Sequence, residues 1–371
     1  MGYVAIQGGE TAIANASKLT EYQRLSSAAP PLALEQIRTQ LRGAIDKIMG
    51  EGSLYAPELA ALALKQMEGD LFEAAFSLRA YRATLKREYY SEIIDPEEMF
   101  LERRVSALHR VIPGGQLLGA TRDYTHRFLR EPLLTEDAAS WATLAQTLKA
   151  RLQAQASAPD AWPPRFPKVT QLLAEEGILQ PVAEKKPNRK VVDITREAIK
   201  YPAPRSAQLQ MLARAESGGL AGIAYSSLRG GGDINPVVGE LRVGRVPVRL
   251  TDRRGRQRCI GRLRLTEAEV IAQAPECGPK GMPYLSMGYG LCFGQMEDKA
   301  ISMGVLDRTM RLAGDEIPAM SQEFVLYHTE GVESYGFTNH LKLPHYVTFQ
   351  SGLNQVRQAR ERRRQKQEAW Q

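Results

Sequence analysis

The stretch "RVPVRLTDRRGRQRCIGRLRL", residues 245–265, constrains the fold more than any other. Apolar positions alternate at Val246, Val248 and Leu250, and again at Cys259, Gly261, Leu263 and Leu265, around a "DRRG" turn. Period-two alternation sends every second side chain to the same face, so the stretch predicts a β-hairpin with one apolar face and one arginine face. Helices are expected before and after it. "LALEQIRTQLRGAIDKIM" (32–49) repeats apolar residues at 34, 37, 41, 45 and 48, the stripe of an amphipathic helix. "PELAALALKQMEG" opens on Pro57 and closes on Gly69, after which Asp70 and Glu73 make a capping-box-like start for the next helix.

"FLERRVSALHRVIPGGQLLG" (100–119) reads as strand and turn, and "DAASWATLAQTLKARLQAQ" as another helix. The four prolines of "SAPDAWPPRFPK" and the polar run "PVAEKKPNRK" mark a break. Further helices are expected at "EDKAISMGVLDRTMRLAG" and "SQEFVLYHTEGVESY". No internal repeat and little βαβ alternation are present, which gives an α+β fold. The division expected is a mainly helical domain (1–155), a linker region (156–192), a mixed α/β domain (193–355) and a basic tail (356–371).

Several function classes drop out. No run of 18 apolar residues exists to span a membrane, and "MGYVAIQGGE" lacks the basic-then-apolar pattern of a secretory signal. Three widely spaced cysteines, Cys259, Cys277 and Cys292, make neither a disulfide framework nor a closed cysteine zinc site. The cytoplasm is the expected compartment. The net charge of +7 is concentrated in two places. Residues 245–264 carry eight arginines against Asp252, and residues 357–371 carry six basic against two acidic groups. A solvated basic surface is the expectation for both, ahead of a nucleic-acid face.

Five segments offer chemistry. "RDYTHR" gathers Asp123, Tyr124, His126 and Arg127, which suit phosphate binding or proton transfer, although a surface helix start explains them equally. "SSLRGGGDINP" sets Gly230, Gly231 and Gly232 beside Arg229; successive backbone N–H groups there could cradle an anion, or form only a loop. "MGYGLCFG" has one residue too many for a dinucleotide fingerprint, and close backbone packing explains it better. "QEFVLYHTEGVESYGF" puts Glu323 on one helical face with Tyr327, shortly before a pair of histidines. That pair, His340 and His345 of "NHLKLPHY", would diverge on a helix or a strand. Pro344 bends the chain between them, so a shared metal and two polar loop residues both remain open.

Taken together, "YVAIQGGETAI", "ELAALALKQMEGD", "LRAYRATL", "IPGGQLLGATRDYTHR", "DITR", "GYGLCFG" and "GFTNHLKLPHYV" resemble, in kind and order, one family. It is the I subunit of the bacterial carbon–phosphorus lyase core complex (PhnI). The resemblance runs from Tyr3 to about residue 355; the arginine-rich hairpin and the basic tail are not part of it.

The resemblance implies an enzyme subunit that transfers the ribose 5-triphosphate of ATP, bound with Mg, to methylphosphonate and releases adenine. It implies a nucleosidase capacity in this subunit. It implies partners in the G, H and J subunits and the ATPase-like K and L subunits. Zinc is implied at His340 and His345, completed by a neighbouring subunit. Breaking an N-glycosidic bond builds positive charge on the sugar, which calls for a carboxylate near C1′ and a donor for the departing purine. Asp123, Glu323 and His126 are the candidates. Arg127, Arg229, Gly230, Gly231, Gly232 and Lys342 are the candidates for the phosphate and phosphonate oxygens. A β nucleotide giving an α product implies inversion by direct displacement. The alternative is a non-catalytic scaffold that presents a zinc half-site.

Overall fold

The computed structural model describes residues 9–26, 28–155, 166–179, 191–230, 236–252, 254–274, 282–312, 317–342 and 346–369. The predicted hairpin is the centre of the fold. Its strands β2 (Val237–Thr251) and β3 (Gln257–Gln273) are longer than the alternation suggested. They pair antiparallel, with Val246 opposite Leu263 and Thr251 opposite Gln257. β1 (Phe100–Val105) adds to one edge and β4 (Leu285–Phe293) to the other, giving the order β1-β2-β3-β4.

Thirteen helices surround this sheet among the described residues. The helix expected over 32–49 is two, α2 (Leu34–Gln40) and α3 (Arg42–Gly52), because Leu41 leaves helical space at φ −107°, ψ 40°. α4 (Pro57–Gln66) starts on its proline, and the Asp70 carboxylate caps α5 (Leu71–Thr84) by accepting from the Phe72 and Glu73 N–H groups. Ile45, Ile48, Met49, Leu64 and Leu78 lock α2 to α5 into one apolar cluster, against which Phe293 of β4 also packs.

On one face of the sheet lie α8 (Arg205–Arg214), α9 (Ser217–Gly230) and α10 (Glu297–Thr309), the last following α6 (Ala138–Gln155) and α7 (Val169–Glu175) in the chain. Leu212, Leu220, Val270, Met303 and Leu306 make the core there. "MGYGLCFG" behaves as the sequence predicts: a Cβ on Gly288 or Gly290 would lie 1.8 or 2.0 Å from the Gly304 or Ala300 carbonyl oxygen. The glycines let α10 lie directly on β4. α11 (Gln322–His328) and α12 (Gly331–His340) complete this layer, and α13 (Tyr346–Glu368) takes up most of the basic tail as a helix.

The opposite face is covered inside the stretch expected as a linker. Residues 166–179 carry α7, and its Leu173 packs with Leu179 on Ile271. Beneath it lies a layer of buried charge. Arg104 donates to Glu240 (2.6 Å), Arg242 Nε to Glu267 (2.8 Å), and Lys168 to both Glu267 (2.9 Å) and Glu269 (2.8 Å). Three cations face three carboxylates, so the layer is neutral. Burial alone would push Glu267 up, but Arg242 and Lys168 hold it below its ordinary value.

The hairpin's arginine face is partly neutralised, which the sequence did not show. Arg245 and Arg264 pair with Glu102, Arg249 with Glu98, and Arg256 with Asp252. Glu98 and Glu102 come from a segment some 150 residues away, whose pairing with β2 could not be read locally. Among the described residues no helix is long and apolar enough to cross a membrane.

Candidate active site

A polar cleft of about 650 Å³ opens where α3, the loop after β1 and the β4–α10 turn converge. Three local features build it. The break at Leu41 starts α3 at Arg42, on the cleft wall. Gly119, at φ +64°, lets the loop run against β1, since a Cβ there would lie 2.3 Å from the Glu102 carbonyl oxygen. Gly294, at φ +72°, brings the end of β4 against Asp46, whose carboxyl carbon a Cβ would meet at 2.1 Å.

Gln295 ties these pieces together. Its N–H donates to Asp46 Oδ2 (2.9 Å), its Nε2 to the Ala120 carbonyl (3.1 Å) and to Glu297 (2.9 Å), and its Oε1 accepts from Arg264 Nη2 (2.8 Å). Arg103, 5% exposed, fixes the other wall. It donates to Asp123 Oδ2 (2.6 Å), Glu297 Oε2 (3.1 Å) and the Leu118 carbonyl (2.5 Å).

The cleft thus presents two carboxylates in unlike settings. Asp123 is half exposed and ion-paired. Asp46 has a side chain 12% exposed, and burial pushes its carboxyl above the ordinary aspartate value despite the Gln295 N–H and Arg264, 4.0 Å away. Among the described residues only its Oδ2 takes a hydrogen bond; Oδ1 takes none. Arg42, Arg122 and Arg264 contribute guanidiniums to the same walls. A carboxylate with raised proton affinity, a second one ion-paired to Arg103 and three guanidiniums can together protonate a leaving group, stabilise a cationic sugar and bind phosphate oxygens.

Of the residues singled out in the sequence, this cleft contains Asp123 alone. His126 is exposed and stacked on Phe128, with ring centroids 5.5 Å apart. Arg127 donates to the Arg122 carbonyl (3.0 Å) and so fastens its own turn, which is not a helix start. Glu323 lies in the first turn of α11 near Tyr201, and is not among the cleft residues. Arg229 and Gly230 end α9, where a helix presents carbonyl oxygens and disfavours anions. Gly231 and Gly232 lie outside the described residues, and Lys342 is exposed just beyond α12.

His340 is the last residue of α12, and its Nδ1 donates to the Phe337 carbonyl. In the neutral ring that hydrogen bond leaves Nε2 unprotonated, the form that ligates a metal. His345 lies outside the described residues, and no group of three or more ligating side chains occurs among the described ones. Asp46 escaped the sequence reading because it sits mid-helix in an amphipathic repeat. Only the distant Gly294–Gln295 pair marks it out, and nothing local in sequence couples the two.

The family model described as bacterial phosphonate metabolism protein (PhnI) matches residues 2–363. A protein of Stutzerimonas stutzeri, provisionally named C-P lyase subunit protein HtxH, is 44% identical over 96% of this chain and 95% of its own. The alpha-D-ribose 1-methylphosphonate 5-triphosphate synthase subunit PhnI of Escherichia coli (strain K12) is 43% identical over 95% of this chain and 96% of its own. The protein of the same name from Rhizobium meliloti (strain 1021) is 41% identical over 96% and 95%. With the sequence profile and three relatives agreeing over nearly the whole length, the chain belongs to the PhnI family of bacterial phosphonate metabolism proteins.

Proposed function

We propose that this chain is the subunit of a cytoplasmic carbon–phosphorus lyase assembly that transfers the ribose 5-triphosphate of MgATP to methylphosphonate, and that the chemistry occurs in the Asp46–Asp123 cleft. The observation that carries the reading is the setting of Asp46: a mostly buried carboxyl, raised in proton affinity, with one oxygen unpaired among the described residues at a cleft that also holds three arginines.

The roles follow from the two environments. Asp46 donates its proton to the departing purine, so that adenine leaves as a neutral base. Asp123, held in place by its ion pair with Arg103, offsets the positive charge that builds at C1′ as the glycosidic bond lengthens. Arg42, Arg122 and Arg264 hold phosphate and phosphonate oxygens, so that a phosphonate oxygen is presented to C1′ from the face opposite the base. Displacement there inverts the anomeric carbon. Water in place of phosphonate gives the nucleosidase reaction.

In the assembly His340 and His345 would hold a zinc ion shared with a neighbouring subunit; the Nδ1–H bond to Phe337 suits ligation through Nε2. The G, H, J, K and L subunits are the proposed partners. The test is product analysis of the assembled complex given MgATP and methylphosphonate. Adenine together with a sugar that retains its triphosphate is the expected result, whereas ADP and phosphate alone reject the reading.

A further inference from the structure

On the other side of α3 from the cleft, α5, the residues just after it and α8 bring four arginines together. Arg79 donates to Glu330 and to the Glu51 carbonyl, and Arg214 Nε donates to Glu330 Oε2 (2.7 Å). Arg87 donates to Asp193 and to Thr195 Oγ1 (3.0 Å). The fourth, Arg82, feels the like charges of Arg79, Arg214 and Arg87 and, against them, the carboxylate of Asp193, which already pairs with Arg87. Two carboxylates, Glu330 and Asp193, therefore face four guanidiniums. Glu51 does not restore the balance, because Lys47 and Lys299 already act on it. Part of this charge is held out of solvent: Arg79 is largely buried, and its Nε has no partner among the described residues.

Beside this cluster lies an apolar chamber of about 250 Å³. Ile194, Leu263, Leu291 and Phe293 form its walls, and Arg214 and Thr195 line it as well. It shares no lining residue with the Asp46 cleft. An apolar chamber that adjoins uncompensated guanidinium charge is complementary to an apolar body ending in a compact dianion. Arginine forks suit the tetrahedral oxygens of such a group, and partial burial strengthens each contact.

We propose that this pocket is a second ligand site, which binds a phosphonate or phosphate monoester dianion through Arg82, Arg87 and Arg214 with the ligand's organic substituent in the chamber. Thr195, already hydrogen-bonded to Arg87, sets the depth at which the dianion sits. The chemistry is shared by an organophosphonate and a nucleoside monophosphate, and affinity separates the two.

The test is calorimetric titration of the full chain, without ATP, using phenylphosphonate, AMP and inorganic phosphate in turn. Its outcome is independent of adenine release. Saturable binding of phenylphosphonate or AMP is expected, and the tighter of the two identifies the source. Arg82→Gln is expected to weaken the tighter probe at least tenfold. Ala213→Phe, which fills the chamber, is expected to weaken it at least tenfold while leaving inorganic phosphate within threefold. Arg82→Lys, which keeps the charge, should retain most of the affinity and serves if Arg82→Gln does not fold. No saturable binding by any probe, or unchanged affinity in both the charge and the filling variants, overturns the proposal.

Discussion

The burial of Asp46 in the cleft works against the stability of the fold. Burial, the larger effect, raises its proton affinity above the ordinary value of 3.8, and the Gln295 N–H opposes this only in part. The folded chain therefore binds more protons than the unfolded one above that pH, so Asp46 subtracts from stability as pH rises through its folded value. Asp46→Asn removes the charge and keeps an acceptor for Gln295. Its melting temperature is expected to equal or exceed that of the wild type at pH 7, by differential scanning calorimetry; a drop of several degrees contradicts the setting described. Glu267 behaves in the opposite sense. Its lowered value contributes stability that is present above the ordinary carboxylate range and lost as pH falls through its folded value. Glu267→Gln strands Arg242 and leaves Lys168 with Glu269 alone, and urea unfolding should show a loss of about 3–5 kcal/mol.

At the scale of elements, the contact between β4 and α10 governs the layer below the cleft. Gly290→Ala places a Cβ 2.0 Å from the Ala300 carbonyl oxygen, so the helix must move away from the sheet. The expected cost is at least about 1–3 kcal/mol, read as an earlier chemical-denaturation midpoint. That contact was legible in "MGYGLCFG", because three glycines on one stretch have few other uses. The hairpin was legible too, since period-two alternation survives any tertiary context, as were the caps at Pro57 and Asp70. The break at Leu41 was not. Its residues keep the helical stripe across the gap, and what separates α2 from α3 is a backbone turn at a residue with no helix-breaking side chain. The partial neutralisation of the arginine face was hidden for a related reason: Glu98 and Glu102 reach it only through the β1–β2 pairing. Of the site, Asp123 could be found because it lies in a dense local motif, whereas Asp46 and Arg264 come together only in the fold.

The whole molecule carries surface that a solitary chain has little use for. Trp141, Leu144, Leu148 and Leu152 of α6 fall on one helical face and stand 48–66% exposed. No residue of α1 (Glu10–Leu25) is buried. The proposed assembly would cover such faces, and Trp141→Glu should then lower the yield of assembled complex on size-exclusion chromatography while leaving the melting temperature of the isolated chain unchanged. The role of Asp46 in the cleft is decided by the turnover of a single variant. In the assembled complex with MgATP and methylphosphonate, Asp46→Asn should lower the turnover number for adenine release by roughly 10²–10⁴-fold, the range of general acid–base catalysis, with KM for ATP within about threefold of wild type. Turnover within threefold of wild type would contradict it.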